Sequence, residues 1–419
     1  MKFFYQIFIR LLIASMKIGA LFNYKLKKGL AGRRQSCEIA QSKFSPEDKV
    51  IWMHAASLGE YEQGLPVLEK LKERLPDHKI LITFFSPSGY DNVIKKKNIA
   101  DVICYLPFDT EKWVKEFTSH FHAEIFFTVK YDYWYFLLEE LRNRGTKIYV
   151  VSALFYETQV FFKTFGNWFV KELKDNVDWF FHQTKHSTAL AKGIGLRNSS
   201  TSGDTRFDRV KKLRNRDNSV EFIENFLDNQ KTIVLGSSWE SEERLAEIIF
   251  KKTKRLKFII APHDLKRIEH LKNLFPEAIL YSELQKGEEL NNSNPQTLKH
   301  PNTRVLIIDS IGLLSKLYSY ADVSVVGGGF HSKGLHNILE AATFGKPVFF
   351  GNHYMKNPEA DELIAKNGGK SFEDEYFAAP YILNVLKESE TLEKMGTNAR
   401  NFIDEQPNAA EIVVRKILS

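Results

Sequence analysis

The sequence predicts an α/β protein with two successive doubly wound, Rossmann-like domains. Strand-like apolar runs alternate with helical segments along most of the 419 residues, and they do so in two series. Within the helical segments apolar residues recur every three or four positions, as in residues 61–75. Parallel sheets of this kind bind ligands beyond the carboxyl ends of their strands. The site is therefore expected in a cleft between the two domains.

The N-terminal segment, residues 3–22, predicts a membrane-associated helix. Arg10 and Lys17 interrupt the apolar run and, with Gln6, form one polar stripe on a helix. This pattern is typical of a helix that lies in the membrane interface, because a spanning helix needs about 20 residues with few charges. A basic cluster follows and would add attraction to an anionic leaflet: Lys25, Lys27, Lys28, Arg33 and Arg34. The alternative is an amphipathic helix packed on the protein.

The two series of strand-like runs set the predicted domain boundaries. The first contains residues 50–55, 80–85, 124–129, 147–153 and 179–182, and the second contains 232–235, 257–261, 304–308, 323–326 and 348–350. A charged stretch near residues 209–218 separates them. The predicted organisation is an anchoring segment over 1–35, a first domain over 36–210, a linker over 211–230, a second domain over 231–395, and a C-terminal helical segment over 396–419 that packs back toward the first domain.

Composition narrows the class of partner. The formal net charge of +7 favours anionic partners such as phosphates, nucleotides or acidic lipids. No nucleic-acid-binding motif accompanies this charge, so nucleic acid is not expected. The two cysteines, Cys37 and Cys104, have no zinc or redox spacing. No Asp-x-Asp pair and no P-loop occur, which favours a site without a metal or cofactor.

The turn after the first strand, residues 52–60, contains a candidate catalytic base. Glu60 is predicted at the carboxyl edge of the sheet, where a carboxylate can take the proton of a hydroxyl nucleophile. The competing interpretation is a capping box, since Ser57 and Glu60 have the Ser-x-x-Glu spacing. The residues alone leave both interpretations open.

Two shorter motifs predict contacts to a phosphate. The amides of Gly236 to Ser238 precede a helix and are candidates to cradle a phosphate, although Ser237 and Glu240 also have the spacing of a capping box. His263 ends another strand, where a donor sugar or phosphate is one partner and a structural role is the other.

The richest motif covers residues 325–347. A strand ends in three glycines, and a helix is predicted to start near His336 and Asn337 with its amides directed at a phosphate. Glu340 is predicted one turn inside this helix, where its carboxylate can accept both hydroxyls of a ribose.

Taken together, these motifs resemble the bacterial Kdo (3-deoxy-D-manno-octulosonic acid) transferase family of lipopolysaccharide assembly. The resemblance covers nearly the whole chain and is most specific in three successive segments: residues 309–312 (D-S-I-G), 317–322 (L-Y-S-Y-A-D) and 326–351. Residues 54–60 (H-A-A-S-L-G-E) also resemble a segment of the family. It implies a GT-B glycosyltransferase fold, CMP-Kdo as the donor, the lipid A precursor as the acceptor, inversion without a metal, and a place on the cytoplasmic face of the inner membrane with its anionic lipids.

The resemblance also implies roles for individual residues. Glu60 falls on the position of the catalytic base, and Ser57, Lys130 and Asp132 fall on the acceptor side. The implied donor-binding residues are Ser237, His263, Gly312, Gly328, Asn337 and Glu340. Basic residues of the family are missing at Pro262 and Leu154, so one of Lys130, Lys333 and Lys346 is expected to replace the lost positive charge. A UDP- or GDP-sugar transferase, a nucleotide-sugar epimerase and an inactive membrane scaffold are the alternatives.

Overall fold

The computed structural model describes residues 2–289, 303–332, 334–355 and 357–419. The chain forms two compact units, one of residues 1–209 with 407–419 and one of residues 210–406. The domain limits drawn from the sequence at 210, 230 and 395 stay predictions, whereas the contacts divide the chain at 209–210 and 406–407.

The first unit contains a seven-stranded sheet with parallel pairing throughout and the strand order β3-β2-β1-β4-β5-β6-β7. Its elements in chain order are α1 (Lys2–Gly19), α2 (Tyr24–Lys43), β1 (Lys49–Ala55), α3 (Leu58–Arg74), β2 (Lys79–Phe84), α4 (Pro87–Val93), β3 (Val102–Tyr105), α5 (Glu111–Thr118), β4 (His122–Val129), α6 (Tyr135–Asn143), β5 (Lys147–Ala153), 3-10 turns at Val160–Phe162 and Thr164–Gly166, α7 (Asn167–Asn176), β6 (Trp179–His182), α8 (Lys185–Gly193) and β7 (Ser199–Thr201). Helix α9 (Thr205–Arg214) begins in this unit and ends in the second.

The second unit contains another seven-stranded sheet with parallel pairing and the order β10-β11-β9-β8-β12-β13-β14. Its elements are α10 (Ile223–Leu227), β8 (Thr232–Ser238), α11 (Glu240–Lys252), β9 (Lys257–Pro262), a 3-10 turn at Leu265–Arg267, α12 (Ile268–Leu274), β10 (Ile279–Leu280), α13 (Tyr281–Glu289), β11 (Val305–Ile307), α14 (Leu314–Leu317), a 3-10 turn at Tyr318–Tyr320, β12 (Val323–Val326), α15 (Leu339–Ala342), β13 (Val348–Gly351), α16 (Pro358–Ala365), β14 (Gly369–Phe372), α17 (Glu375–Lys387) and α18 (Ser389–Asp404); the last helix, α19 (Ala409–Ile417), returns to the first unit.

Strand β1 shows how the first sheet is covered on both faces. Its side chains alternate, so Val50 and Trp52 pack with residues of α5, α6 and α7, while Ile51 and Met53 pack with residues of α3 and α19. All four side chains have no exposed surface. Helices on both faces of a parallel sheet define the doubly wound architecture, and the predicted two-domain α/β fold is confirmed.

Four short strands escaped the sequence prediction: β3, β7, β10 and β14. β10 has two residues and β7 has three, which is too short for a period to show. β7 (S-S-T) and β14 (G-K-S-F) also carry few apolar side chains. These segments form strands because they pair with neighbouring strands in the sheet, and their own sequences do not specify a strand.

Helix α1 packs on the first unit by one face and exposes apolar side chains on another. Ile9 is 1% exposed, whereas Phe3 in the helix and Phe22 in the turn that follows it are 67% and 88% exposed. Further exposed apolar residues of this segment are Phe4, Phe8, Leu11, Ile18 and Leu21. No helix in the described ranges is long and apolar enough to cross a membrane.

One member of the predicted basic cluster is not on the surface. Arg33 is 2% exposed, and its guanidinium lies over the rings of Phe85, Tyr105 and Phe108. It donates to the carbonyl oxygens of Gly29 and Phe85, and burial lowers its pKa to about 10. Arg33 therefore ties α2 to the end of β2, and the prediction that it faces an anionic leaflet was wrong.

Candidate functional site

Glu60 lies in the first turn of α3, immediately beyond the carboxyl end of β1. Ser57 is the N-cap residue, but its side chain does not cap the helix, and its hydroxyl donates to Oε2 of Glu60 instead. The other carboxylate oxygen, Oε1, is 3.7 Å from Nζ of Lys130. The capping-box alternative is therefore not formed. The carboxylate is held by two side chains and remains 17% exposed, so it is accessible to a substrate hydroxyl.

Lys130 and Asp132 lie in the turn between β4 and α6, residues 130–134. Lys130 has a left-handed backbone, with φ of 64°, and its N–H donates to the carbonyl of Val151. The Tyr133 hydroxyl donates to the Lys130 carbonyl, and the Thr128 hydroxyl donates to the Asp132 carbonyl. The turn is thus fixed to its own sheet, and it places the Lys130 ammonium beside Glu60.

A buried histidine holds the Asp132 carboxylate, an interaction that the sequence did not reveal. Nε2 of His54 is 2.6 Å from Oδ2 of Asp132, and Nδ1 lies against the hydroxyl and carbonyl of Thr83. Nε1 of Trp134 also donates to Oδ2. His54 is fully buried, while the Asp132 side chain is 24% exposed. Oδ1 of Asp132 accepts none of these bonds, so it is available to a hydroxyl group.

In the second unit, Ser237 forms a bulge near the end of β8. Its φ is 53°, and the register with β9 shifts between Gly236 and Ser238. The strand runs to Ser238, three residues beyond the predicted end, and α11 begins only at Glu240. Residues 236–238 therefore continue the sheet and precede α11 by one residue, and their role in cradling a phosphate stays a prediction.

The capping interaction of α11 is displaced by two residues from the predicted one. The N-cap residue is Trp239, and Oε2 of Glu242 accepts its N–H at 2.9 Å. Oε1 of the same carboxylate accepts the N–H of Gly328, also at 2.9 Å. Burial raises the pKa of Glu242 to about 7, whereas these N–H donors favour its ionised form. The predicted pair of Ser237 and Glu240 does not form this cap.

A cavity of about 600 Å³ lies within the second unit, beyond the ends of β8, β9 and β11. Three of the predicted donor residues line it: Ser237, His263 and Gly312. The other lining residues are Trp239, Ala261, Pro262, Asp264, Leu265, Ile308, Ser310, Ile311 and Leu314. Its volume suits a small ligand, and it combines apolar walls with a few hydroxyl and ring donors.

Aromatic rings form one wall of this cavity. The indole of Trp239 stacks on the imidazole of His263, with ring centres 4.4 Å apart and planes 21° apart. The ring centres of His336 and His263 are 4.7 Å apart. The ring of His331 packs edge-on against the indole of Trp239, with ring centres 4.9 Å apart. Burial, with His263 and His331 close by, lowers the pKa of His336 to about 4. An aromatic wall of this kind suits the flat face of a nucleobase.

The glycine-rich turn packs against the Ser237 bulge. A Cβ on Gly327 would lie 2.0 Å from the Ser237 carbonyl oxygen, so only glycine fits there. Gly328 has φ of 91°, and its N–H is already bonded to Glu242. The Gly328 N–H is thus bonded within the protein, and the implied place of Gly328 among the donor-binding residues stays a prediction. Gly328 is also absent from the residues that line the cavity in the described part of the unit.

The helix predicted near residues 336–337 begins two residues later. α15 spans only Leu339–Ala342, and the Leu339 N–H donates to Oδ1 of Asn337. Glu340 is thus in the first turn rather than one turn inside, and Nδ2 of Asn337 donates to its Oε1 at 3.4 Å. Asn337 and Glu340, both predicted to bind the donor nucleotide, therefore contact each other. However, the first amide of α15 is bonded to Asn337, so it is not directed at a phosphate.

No basic side chain of the described cavity lining replaces the basic residues of the family that are missing at Pro262 and Leu154. Among the described residues that line it, none is lysine or arginine, and Asp264 carries a negative charge. Lys130 belongs to the first unit, and Lys333 lies outside the described residues. Burial lowers the pKa of Lys346, and this residue does not line the cavity.

The two parallel sheets with helices on their faces define a GT-B fold. The structure is similar to that of UDP-GlcNAc 2-epimerase from Neisseria meningitidis, with a TM-score of 0.61, 16% identity, and coverage of 88% of this chain and 99% of that one. At this identity the likeness establishes the fold alone.

The amino-acid sequence is also similar to known glycosyltransferases. Residues 30–209 match the family profile described as 3-deoxy-D-manno-octulosonic-acid transferase (kdotransferase). The 3-deoxy-D-manno-octulosonic acid transferase of Aquifex aeolicus is 26% identical over 322 residues, which cover 76% of this chain and 80% of that protein. These matches confirm the predicted resemblance to the Kdo transferase family.

A longer relative extends the similarity along the chain. The bifunctional glycosyltransferase/methyltransferase of Fusobacterium nucleatum is 24% identical over 385 residues, which cover 88% of this chain. The chain spans 57% of the length of that relative.

Proposed function

We propose that this protein transfers Kdo from CMP-Kdo to a hydroxyl group of the lipid A precursor, with inversion at the donor carbon and without a metal. The observation that carries the proposal is the Glu60 carboxylate, which the Ser57 hydroxyl and the Lys130 ammonium hold at the edge of the first sheet. The resemblance to the Kdo transferase family supports the choice of sugar.

In the proposed reaction, the acceptor oxygen attacks the anomeric carbon of Kdo while the bond from that carbon to the phosphate oxygen of CMP breaks. The electron pair of the broken bond leaves with CMP, and the hydroxyl proton passes to the carboxylate of Glu60. Lys130 keeps the carboxylate oriented, and Oδ1 of Asp132 accepts a second hydroxyl of the acceptor. Inversion follows from this single displacement.

The donor is proposed to bind in the cavity of the second unit. The cytosine ring would stack on the wall formed by Trp239 and His263, and the hydroxyls of Ser237 and Ser310 would bond polar atoms of the nucleotide. Asn337 and Glu340, which contact each other, are proposed to bind the ribose hydroxyls, as the family resemblance implies.

Helix α1 is proposed to bind the cytoplasmic face of the inner membrane. Its exposed phenylalanines would enter the acyl boundary, while the exposed side chains of Lys25, Lys27 and Arg34 face anionic headgroups. Because the acceptor is a lipid, anchoring raises its concentration at Glu60. Sedimentation with liposomes, with and without an anionic lipid, tests this part. Binding that does not depend on the anionic lipid would contradict the role of the basic residues.

The activity is tested by incubating the protein with CMP-Kdo and tetraacyl lipid A precursor and measuring the mass of the lipid by mass spectrometry. A gain of Kdo supports the proposal, and an unmodified lipid contradicts it. Thermal shifts with CMP, UDP and GDP test the donor separately, since a bound ligand raises apparent stability. A shift with UDP or GDP and none with CMP would favour another nucleotide-sugar enzyme.

A further inference from the structure

Helix α1 is joined to the first unit by a buried hydrogen-bond cluster. The hydroxyl of Tyr5 donates to Oδ2 of Asp109 at 2.6 Å, and Asp109 is 2% exposed. The same carboxylate accepts the N–H of Phe136 at 3.0 Å and the N–H of Leu137 at 2.8 Å. One side chain of α1 thus completes the bonding of a carboxylate that holds the start of α6.

Asp109 provides the cap that the sequence of α6 lacks. The N-cap residue of α6 is Trp134, which forms no side-chain cap. The first amides of a helix have no partner within it, and a carboxylate placed there is also favoured by the helix dipole. Tyr135 N–H donates to the Tyr5 hydroxyl at 3.3 Å, so α1 contributes directly to this end of α6 as well.

Ring contacts and an ion pair align α1 with α6. The ring of Tyr5 lies 5.4 Å from that of Tyr135 and 5.7 Å from that of Phe136. Nζ of Lys2 is 2.9 Å from Oε2 of Glu139, which also belongs to α6. The side chains of Lys2 and Tyr5 are therefore used for contacts within the unit, while Phe3 and Phe4 remain exposed.

The start of α6 is also the end of the acceptor-side turn. Residues 130–134 connect β4, which is fixed in the sheet, to α6, which Asp109 fixes. Within the turn, Trp134 bonds the carboxylate of Asp132, and Tyr133 bonds the carbonyl of Lys130. A small displacement of the first residues of α6 would therefore move both acceptor-side side chains.

We propose that Tyr5 and Asp109 are positioning residues for the acceptor. Through the start of α6 they set the positions of Lys130 and Asp132, so α1 contributes to catalysis beyond any contact with a membrane. This inference rests on the proposed function in placing the acceptor at these two side chains. The geometry of the cluster does not depend on that function.

The first test is the kinetics of Tyr5→Phe, which removes one hydroxyl and keeps the ring contacts. We expect kcat/KM for the lipid acceptor to fall about tenfold, because a small misplacement near the reacting groups is costly. The KM for CMP-Kdo and the binding to liposomes should not change. Asp109→Asn should give the same pattern, and the double variant should be little worse than either single one, since the two residues act together.

The matched control is Tyr149→Phe. Tyr149 is a buried tyrosine of the same unit, and its hydroxyl donates to the Ile417 carbonyl at 3.4 Å and not to the acceptor-side turn. The Tyr149→Phe variant should lose stability without changing kcat/KM for the lipid acceptor. An equal effect of Tyr149→Phe and Tyr5→Phe on this kcat/KM would overturn the proposal.

Hydrogen exchange gives a readout that does not need activity. In Tyr5→Phe, amides of residues 130–138 should exchange faster than in the wild type, with those of β7 unchanged. Unchanged exchange in residues 130–138 would overturn the positioning role. If the wild type adds no Kdo to the lipid, the proposed function fails instead, and the exchange result still decides whether Tyr5 and Asp109 hold the turn.

Discussion

Glu60 and Lys130 face each other at the carboxyl edge of the first sheet, with Oε1 of the carboxylate 3.7 Å from Nζ of the ammonium. Both side chains are partly exposed, so the ion pair contributes only about 0–1 kcal/mol to folding. A pair that adds little stability, in a turn with a left-handed backbone at Lys130, is better explained by its effect on the reacting carboxylate.

Replacement of Lys130 should lower activity much more than stability. Lys130→Asn removes the charge, and asparagine tolerates the left-handed backbone. We expect kcat to fall about tenfold or more, because the Glu60 carboxylate loses one of its two partners, while the free energy of unfolding changes by less than about 1 kcal/mol. Lys115→Asn is the control, since it breaks an exposed pair with Glu111 in the same unit. A Lys130→Asn enzyme with wild-type kcat would contradict this role.

Two glycines of the second unit should respond differently to alanine. Gly327→Ala places a methyl group 2.0 Å from a backbone oxygen, so we expect a loss of about 3 kcal/mol or more. At Gly312 the added Cβ meets nothing within 4 Å, and only its φ of 101° opposes the change, which costs about 1–2 kcal/mol. Urea denaturation followed by circular dichroism measures both. Equal losses would show that the glycine-rich turn does not pack on Ser237 as described.

The stability of the first unit should depend on pH through His182. This histidine is buried between the hydroxyls of Ser187 and Ser199, and burial lowers its pKa from 6.5 to about 4. Because the folded-state pKa is lowered, the stabilising contribution is present above pH 6.5 and is lost as the pH falls toward 4. The stability difference between wild type and His182→Asn should be about 2 kcal/mol smaller at pH 5 than at pH 7.5. A difference that does not change with pH would contradict a buried neutral imidazole.

Much of the fold could be predicted from the sequence because long apolar runs specify buried parallel strands. The sequence predicted less well where each strand ends and the next helix begins. Ser237 continues β8 as a bulge, although a serine in that position is also typical of a helix cap. Glu242 forms the cap because the sheet delays the start of α11 until Glu240. Such shifts depend on strand pairing, which a local pattern does not contain.

The candidate site was predictable to the extent that it follows strand ends. Glu60 was found in this way, whereas Lys130 and Asp132 were implied by the family resemblance, and the structure brings Glu60 and Lys130 together. The bond between His54 and Asp132 was missed because it joins residues 78 positions apart, one in β1 and the other in the turn after the neighbouring strand β4. The contact of Tyr5 with Asp109 was missed for the same reason, since apolar periodicity in α1 indicates which face is buried but not its polar partner.

The role of Glu60 as the proton acceptor is tested most directly by one comparison. The Glu60→Gln variant and the wild type are incubated with CMP-Kdo and tetraacyl lipid A precursor, and the mass of the lipid is measured by mass spectrometry. Glu73→Gln, an exposed change in the same helix, is the control. We expect Glu60→Gln to lose at least about a hundredfold in rate while it keeps the thermal shift with CMP, and the control to transfer normally. Transfer by Glu60→Gln at the wild-type rate would contradict the account.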